Sequence, residues 1–129
     1  MELAIHNWMR AESLEHTLSR INKLDYTHLE IQGAPESYDI KKTQLLLDLY
    51  GIKCWGSVTL MLEQRNLLAK DPAQRKMSVQ YVKDVAKMVY ELGGKVISLV
   101  PATVGKIVPD ARPDEEWEWA VEGIQEIYK

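Results

Sequence analysis

The sequence predicts an α/β fold in which four consecutive βα units form a parallel sheet. Short strand-like runs alternate four times with longer stretches whose apolar residues recur every three or four positions. The first three helical stretches each end in an apolar residue, a turn residue and a new strand, at Leu24-Asp25, Tyr50-Gly51 and Leu92-Gly93. Because 129 residues suit one ordinary domain, we expect residues 1–129 to form a single (βα)4 domain.

Capping and turn residues define the first two βα units. The first strand is expected within residues 3–8, followed by a helix that Ser13 caps. The second strand is expected over 27–32 and the second helix over 40–50. That helix ends at Gly51, since glycine suits the left-handed conformation after a helix end. A dinucleotide-binding fold would need a glycine-rich loop after the first strand, and residues 7–12 contain no glycine.

The last two units have clearer helix signals. The third strand lies within 52–60, and Asp71-Pro72 then gives a capping carboxylate with proline at the first helical position. The third helix ends at Gly93-Gly94, and a β-branched strand follows over 95–100. The last helix is expected to bury one face, which would place Trp117 in the core and Trp119 at an interface. That expected face comprises Trp117, Val121, Ile124 and Tyr128.

Composition excludes several classes of function. The net charge of −3, without long runs of one sign, argues against a nucleic-acid-binding domain. No apolar run approaches the ~20 residues of a membrane span, and the N-terminus lacks the pattern of a secretory signal. The single cysteine, Cys54, cannot form an internal disulfide. We therefore expect a cytoplasmic protein.

Four short motifs stand out along the chain. They are Leu3-Ala4-Ile5-His6-Asn7-Trp8; Thr27-His28-Leu29-Glu30-Ile31; Asn66-Leu67 with Asp71-Pro72 and Arg75; and Leu92-Gly93 before a strand. Their order and spacing resemble the xylose isomerase-like TIM barrels, and within them the sugar and sugar-phosphate isomerases and epimerases. The tagatose and psicose 3-epimerases are relatives in that group. The resemblance implies that this chain is the N-terminal half of a (βα)8 barrel.

The resemblance also implies what this half lacks. In the family, a divalent cation (Mn, Mg or Co) binds to two Glu, one Asp and one His on the last four strands. Two of those carboxylates are the catalytic acid and base. The resemblance therefore assigns no catalytic residue and no metal ligand to this sequence, and we expect no cofactor for it. Whether the chain has any isomerase activity is left open.

An open four-stranded parallel sheet predicts self-association. Such a sheet leaves two edges unpaired and one apolar face uncovered. Two copies together have the number of residues that a complete barrel needs, which is about 250. We therefore expect a closed homodimer, a higher assembly or a complementary half-barrel partner. One alternative to this structural hypothesis is enzymatic: a dimer could rebuild a cation site from paired His6 and Glu30. A third hypothesis is a small flavodoxin-like binding domain.

Five residues are candidates for substrate binding. His6 and Glu30 lie at the first two strands and carry groups that bind divalent ions or sugar hydroxyls. Asn7, Trp8 and Trp55 could line a sugar site, because an aromatic face suits the apolar side of a sugar ring. The alternative is that a neighbouring lysine or a backbone donor holds Glu30 and that the other four residues are simply packed in the core or at the mouth of the barrel.

Other chemistry-bearing residues have simpler interpretations. Arg65 and Arg75 flank the third loop and could bind phosphate, but an arginine there more often satisfies a carboxylate or loop carbonyls. Cys54 has no evident base partner and is not expected to be a nucleophile. Glu115 and Glu116 fit the acidic first turn of a helix.

One turn residue and two helix residues differ from what is usual in the outer layer of a barrel. Asp25 occupies the place of Gly51 and Gly93 in the repeat, where a non-glycine residue costs of order 1 kcal/mol. Leu45 and Leu49 fall on the face of the second helix that should be polar. Either a natural subunit contact or the altered surface of an engineered fragment explains them. Both interpretations predict an interface through Leu45 and Leu49.

Overall fold

The computed structural model describes residues 3–8, 10–62 and 64–129, and it confirms the predicted order of elements. The strands are β1 (Ala4–His6), β2 (His28–Gly33), β3 (Lys53–Thr59) and β4 (Val96–Ser98). The helices are α1 (Leu14–Asn22), α2 (Ile40–Leu49), α3 (Pro72–Glu91) and α4 (Pro113–Tyr128), with a 3-10 turn at Pro35–Ser37. Four parallel strands thus alternate with four helices as a (βα)4 half-barrel.

The sheet follows chain order, β1-β2-β3-β4. β1 pairs in parallel with β2, so that His6 is the register partner of Glu30. β3 pairs in parallel with β4, so that Gly56 is the register partner of Val96. β1 and β4 therefore form the two edges of the sheet.

Contacts between Cα atoms divide the chain into two compact units. The first unit comprises Met1–Val58 and Val85–Ser98, and it contains the sheet with α1 and α2. The second comprises Thr59–Asp84 and Leu99–Lys129, and it contains α4 and the N-terminal part of α3. Each unit has buried apolar side chains of its own. They are Leu18, Ile21, Leu29, Ile31, Leu47, Ile52 and Val89 in the first unit, and Met61, Leu67, Ala69, Val79 and Val82 in the second.

Strand alternation gives the sheet of the first unit two different faces. Along β2, Leu29 and Ile31 are fully buried. They alternate with His28, Glu30 and Gln32, which are half-buried. Successive side chains of a strand point to opposite faces, so one face of β2 is apolar and the other is polar. The polar face carries Glu30.

The helices of the first unit begin and end where the sequence indicates. The Oγ of Ser13 accepts a hydrogen bond from the backbone N–H of His16 at 3.2 Å, and Asp39 caps α2 in the same way. Gly51 follows α2 with φ of 62°, and Asp25 follows α1 with φ of 59°. The predicted left-handed conformation of Asp25 is therefore confirmed.

The strands β3 and β4 approach each other closely at Gly56. A Cβ atom on Gly56 would lie 2.1 Å from the carbonyl oxygen of Val96. No side chain fits at that distance, so the pairing of β3 with β4 requires glycine at this position.

The second unit begins α3 as predicted. Asp71 Oδ1 accepts a hydrogen bond from the backbone N–H of Ala73 at 2.9 Å, next to Pro72 at the helix start. α3 continues for 20 residues. In the part of the chain that the structure describes, no helix is long and apolar enough to cross a membrane.

The predicted inward face of α4 is wrong. Trp117 is 71% exposed and Tyr128 is 94% exposed, whereas Ala120 and Gly123 are buried. Small residues explain the difference: a Cβ atom on Gly123 would lie 3.4 Å from Leu67 Cδ2, a contact that a large side chain there would prevent. The helix therefore packs through its small residues, and its larger apolar side chains are left exposed.

Trp119 lies nearer the packed side of α4 than Trp117 does. The guanidinium carbon of Arg75 lies 4.7 Å from the centre of the Trp119 ring, and the Trp119 side chain is partly buried. Trp117 therefore faces outward instead of lying in the core as predicted, and Trp119 packs partly against its own chain, so that its expected place at an interface stays a prediction.

Candidate functional site

The ends of β1 and β2 bring His6 and Glu30 together. They are register partners on neighbouring parallel strands, so their side chains project from the same face of the sheet. Both side chains are half-buried. This is the polar face of β2, opposite the face that buries Leu29 and Ile31.

Trp8 extends this cluster beyond the end of β1. Its ring stacks on that of His6, with centroids 4.8 Å apart and planes inclined by 29°. Nδ1 of His6 is buried and has no hydrogen-bond partner among the described residues. A buried nitrogen in that state can gain stability from a ligand or a water molecule that supplies the missing bond.

Asn7 is held by two hydrogen bonds within its own chain. Its Oδ1 accepts from the backbone N–H of Gln32 at 2.7 Å, and its Nδ2 donates to the hydroxyl of Tyr38 at 3.0 Å. These bonds join the end of β1 to the end of β2 and to the segment after it. Asn7 therefore positions the strand ends on which His6 and Glu30 stand, and its predicted contact with substrate stays a prediction.

Sequence reasoning did not identify Tyr38 as part of this region. Tyr38 lies 31 residues after Asn7, and no local pattern links the two. Burial raises the pKa of the Tyr38 hydroxyl, and the hydrogen bond from Asn7 partly opposes that rise. The hydroxyl therefore stays protonated at neutral pH and can donate a hydrogen bond of its own.

Trp55 lines a cavity on β3. It is partly exposed, and the cavity of about 720 Å³ is also lined by Lys53, Lys95 and the ends of α2 and α3. His6, Asn7, Trp8 and Glu30 do not line this cavity. Of the five predicted substrate-binding residues, Trp55 is thus the one that lines it, and its contact with substrate stays a prediction.

His6 and Glu30 do not form a complete site for a divalent cation among the described residues. Among residues 3–8, 10–62 and 64–129, no group of three or more His, Cys, Asp or Glu side chains is placed to hold a metal ion. His6 and Glu30 supply two donors, fewer than the four that the family resemblance implies. A cation on this face would need ligands beyond those that the described residues provide.

The Cys54 thiol has the properties of a core residue. It is buried, and its Sγ donates to the carbonyl of Gly56 at 3.7 Å. Burial raises the pKa of Cys54 to about 11, so the thiol is protonated at neutral pH. A protonated thiol is a poor nucleophile, in agreement with the sequence expectation.

The two arginines of the third loop are engaged with groups of the second unit. Arg75 Nη1 donates to the carbonyl of Ala69 at 2.7 Å. The Arg65 guanidinium lies 3.9 Å from the centre of the Tyr81 ring, and its Nη1 donates to the Leu60 carbonyl. Satisfaction of loop carbonyls, the simpler of the two interpretations, describes both side chains.

Leu45 and Leu49 are exposed as the sequence predicted. Their exposed fractions are 70% and 72%, whereas Thr43 and Leu47 on the other face of α2 are buried. The helix therefore has an apolar outer surface, and the interface expected there stays a prediction.

Solved structures of sugar epimerases share this fold. D-Psicose 3-epimerase from Clostridium cellulolyticum H10 matches with a TM-score of 0.79 and 22% identity over 99% of this chain. D-Allulose 3-epimerase from Methylomonas sp. matches with a TM-score of 0.84 and 20% identity over 98% of it. The 3-keto-D-glucoside 4-epimerase of E. coli matches with a TM-score of 0.77 and 16% identity over 97% of it.

The chain spans about half the length of these proteins. It covers 47%, 46% and 49% of the three chains, respectively. No curated protein matches the sequence. The sequence pattern of the xylose isomerase-like TIM barrels, however, matches residues 18–129, which is most of the chain. Together with the four parallel βα units, this match shows that the chain belongs to the xylose isomerase-like TIM barrel family.

Proposed function

We propose that the chain is one half of a sugar isomerase/epimerase-like barrel, closed by a second copy, and that it contributes a sugar-binding surface without the acid and base carboxylates. The observation that carries the proposal is the open sheet, in which β1 and β4 are both edge strands. The match to sugar epimerases supports it, because this chain covers only 47% and 46% of those proteins.

Pairing of β1 with β4 of a second copy would remove both edges. Each edge strand is three residues long and presents backbone N–H and C=O groups outward. A two-fold axis repeats the same contact twice, which leaves no free edge in the closed barrel. The polar face of β2, with Glu30, would then line the interior.

The cluster of His6, Trp8 and Glu30 fits a sugar better than it fits an apolar ligand. The Trp8 ring is partly exposed and offers a flat surface to the C–H side of a sugar. The imidazole of His6 and the carboxylate of Glu30 stand in register beside it and can bond to hydroxyl groups. Because similar structures include a D-psicose 3-epimerase with D-tagatose and a D-allulose 3-epimerase in complex with D-allulose, we propose a free ketohexose as the ligand.

Binding without turnover is the expected behaviour of this half. Epimerisation next to a carbonyl needs one group that removes a proton and another that returns it. The carboxylate beside His6 is Glu30. The resemblance implies that the two carboxylates that act as acid and base in the family belong to strands that follow β4. The chain by itself is therefore proposed to bind the sugar and leave its configuration unchanged.

Saturation-transfer NMR with D-psicose tests sugar binding directly. The wild-type chain should transfer saturation to the sugar, and Trp8→Ala should abolish the transfer. Trp117→Ala is the matched control, because Trp117 is exposed on α4 in the second unit. Equal transfer in the wild type and in Trp8→Ala would rule out the proposed binding surface.

A second candidate is a cation-dependent isomerase or epimerase whose site is rebuilt across a dimer. The unpartnered Nδ1 of His6 and its register with Glu30 favour it, because two copies would supply two imidazoles and two carboxylates. Calorimetric titration with Mn²⁺ tests it, with His6→Ala/Glu30→Ala as the variant. His28→Ala serves as control, since His28 lies on the same strand face as Glu30. Binding of one Mn²⁺ per two chains, lost only in the double variant, supports this candidate, and unchanged binding excludes it.

A further inference from the structure

The outer surface of α2 combines two leucines with two opposite charges. We define the α2 stripe as Lys41, Leu45, Asp48 and Leu49, all of them exposed. Since each residue turns a helix by about 100°, positions 41, 45, 48 and 49 fall on one side of the helix. The opposite side buries Thr43 and Leu47. Leu45 and Leu49 thus face away from the core of the first unit, and Asp48 lies at the edge of the stripe, where it also lines the cavity beside Trp55.

The charges of the α2 stripe are reversed relative to the helix dipole. Lys41 is the second residue of α2, and the first turn contains no acidic residue. Asp48 lies in the last turn, which contains no basic residue. A helix prefers negative charge at its N-terminus and positive charge at its C-terminus. Both charges are therefore unfavourable within an isolated α2.

Neither charge has an ion-pair partner among the described residues. Lys41 and Asp48 form no ion pair with any other described side chain, although Asp48 lines a cavity with Lys53 and Lys95. Both side chains are exposed, so each is accessible to a charge on another molecule.

The α2 stripe is complementary to itself in one orientation. Lys41 and Asp48 are seven residues, or about 10.5 Å, apart along the axis, with Leu45 between them. If a second α2 lies antiparallel against the first, a two-fold axis beside Leu45 brings each Lys41 opposite Asp48 of the other copy. The same axis places the two Leu45 side chains against each other. Each charge then also lies beside the favourable end of the neighbouring helix dipole.

We propose that the α2 stripe docks on the α2 stripe of a second copy of this chain, antiparallel about a two-fold axis at Leu45. The contact buries the two exposed leucines of each copy and pairs Lys41 with Asp48 of the other copy twice. It does not use β1 or β4, so it is independent of the proposed barrel closure. With closure the assembly is a tetramer or larger, and without closure it is a dimer.

Sedimentation of Leu45→Glu/Leu49→Glu tests the apolar part of the contact. The dissociation constant of this contact should rise at least a hundredfold, because the apolar contact is lost and two carboxylates would face each other at position 45 on the axis. Met77→Glu is the matched control, since Met77 is an exposed apolar residue on α3. Circular dichroism checks that both variants keep the fold. An unchanged mass distribution in the double variant would overturn the proposal.

A charge-swap experiment tests the antiparallel pairing itself. Lys41→Glu alone and Asp48→Lys alone should each weaken self-association about tenfold, because each homodimer then pairs like charges twice. An equimolar mixture of the two variants should regain wild-type association, since the heterodimer pairs opposite charges at both positions. Lys76→Glu, which has the same change of charge on α3, should have no effect.

The two proposals fail in distinguishable ways. If the mixture associates no better than either variant alone, the antiparallel contact is wrong, whatever the state of the barrel. If the mixture is rescued and the Leu45→Glu/Leu49→Glu variant is monomeric, the contact is right and barrel closure is wrong. If that variant stays dimeric while the wild type forms tetramers, both are supported.

Discussion

Replacement of Asp25 by glycine should stabilise the fold, because α1 ends in the same motif as α2. The N–H of Tyr26 donates to the carbonyl of Ile21 at 3.2 Å, and the N–H of Ile52 donates to that of Leu47 at 3.0 Å. Both bonds span five residues and enclose a residue in the left-handed conformation. That residue is Asp25 in the first case and a glycine in the second.

The magnitude follows from three contributions. The left-handed conformation costs an L-residue roughly 1–2 kcal/mol, and aspartate lies at the lower end of that range. A carboxylate near a helix C-terminus costs about 0.3–1 kcal/mol more. Glycine gives back about 0.5–1 kcal/mol through the greater freedom of the unfolded chain. The net gain for Asp25→Gly is therefore about 1 kcal/mol, or an increase of about 4 °C in Tm.

Urea unfolding followed by circular dichroism measures this gain, at one protein concentration so that self-association contributes equally. Asp25→Asn separates the two effects, because it removes the charge and keeps a side chain in the left-handed conformation. Gly51→Ala should lose about 1 kcal/mol, since a Cβ atom there meets nothing within 4 Å and only the backbone is affected. If Asp25→Gly is no more stable than Asp25→Asn, backbone strain at Asp25 is refuted.

Three further predictions follow from packing and burial. Gly56→Ala should cost at least about 3 kcal/mol or prevent folding, because its Cβ atom would lie 2.1 Å from a backbone oxygen. Gly123→Ala should cost less than about 1 kcal/mol, because the nearest atom to its Cβ would lie 3.4 Å away. Urea unfolding compares the stability of the two variants. Trp119→Ala should lose about 2 kcal/mol and Trp117→Ala less than about 0.5 kcal/mol by the same assay, and equal losses would contradict the assigned face of α4. Because burial raises the pKa of Cys54 from 9.0 to about 11, stability should be constant below pH 9 and fall by about 2–3 kcal/mol between pH 9 and pH 11. Cys54→Ala should lack that fall, and a fall of equal size in this variant would contradict the assignment.

Element order could be predicted from sequence because it depends on local signals. Ser13 and Asp71 cap helices where expected, and the left-handed conformation repeats at Asp25 and Gly51. Four alternating βα units also limit the sheet to a parallel order. These signals act within a few residues, so sequence alone is sufficient for them.

The face of α4 could not be predicted because hydrophobicity and close packing disagree there. The apolar period favours Trp117 and Tyr128 as core residues, yet the small residues Ala120 and Gly123 allow closer packing against Leu67. A single sequence gives no measure of how near two segments approach. The exposure of large apolar residues on α4 is therefore a property that only the three-dimensional structure reveals.

The candidate site was predicted in part for a similar reason. Strand ends place His6 and Glu30 on one face, which alternation and parallel order already imply. The role of Asn7 depends on Tyr38 and Gln32, partners 31 and 25 residues away, and no spacing rule connects them. The same limit applies to Trp55, which lines a cavity that His6 does not line.

Hydrogen–deuterium exchange at several protein concentrations tests barrel closure most directly. β1 and β4 form the edges of the sheet, so those of their amides that point away from β2 and β3 become protected only when another strand pairs with them. We expect exchange in Ala4–His6 and Val96–Ser98 to slow together as the concentration rises from about 1 to 100 μM, with no such change in β2. Exchange in β1 and β4 that stays fast at every concentration would contradict closure by a second copy.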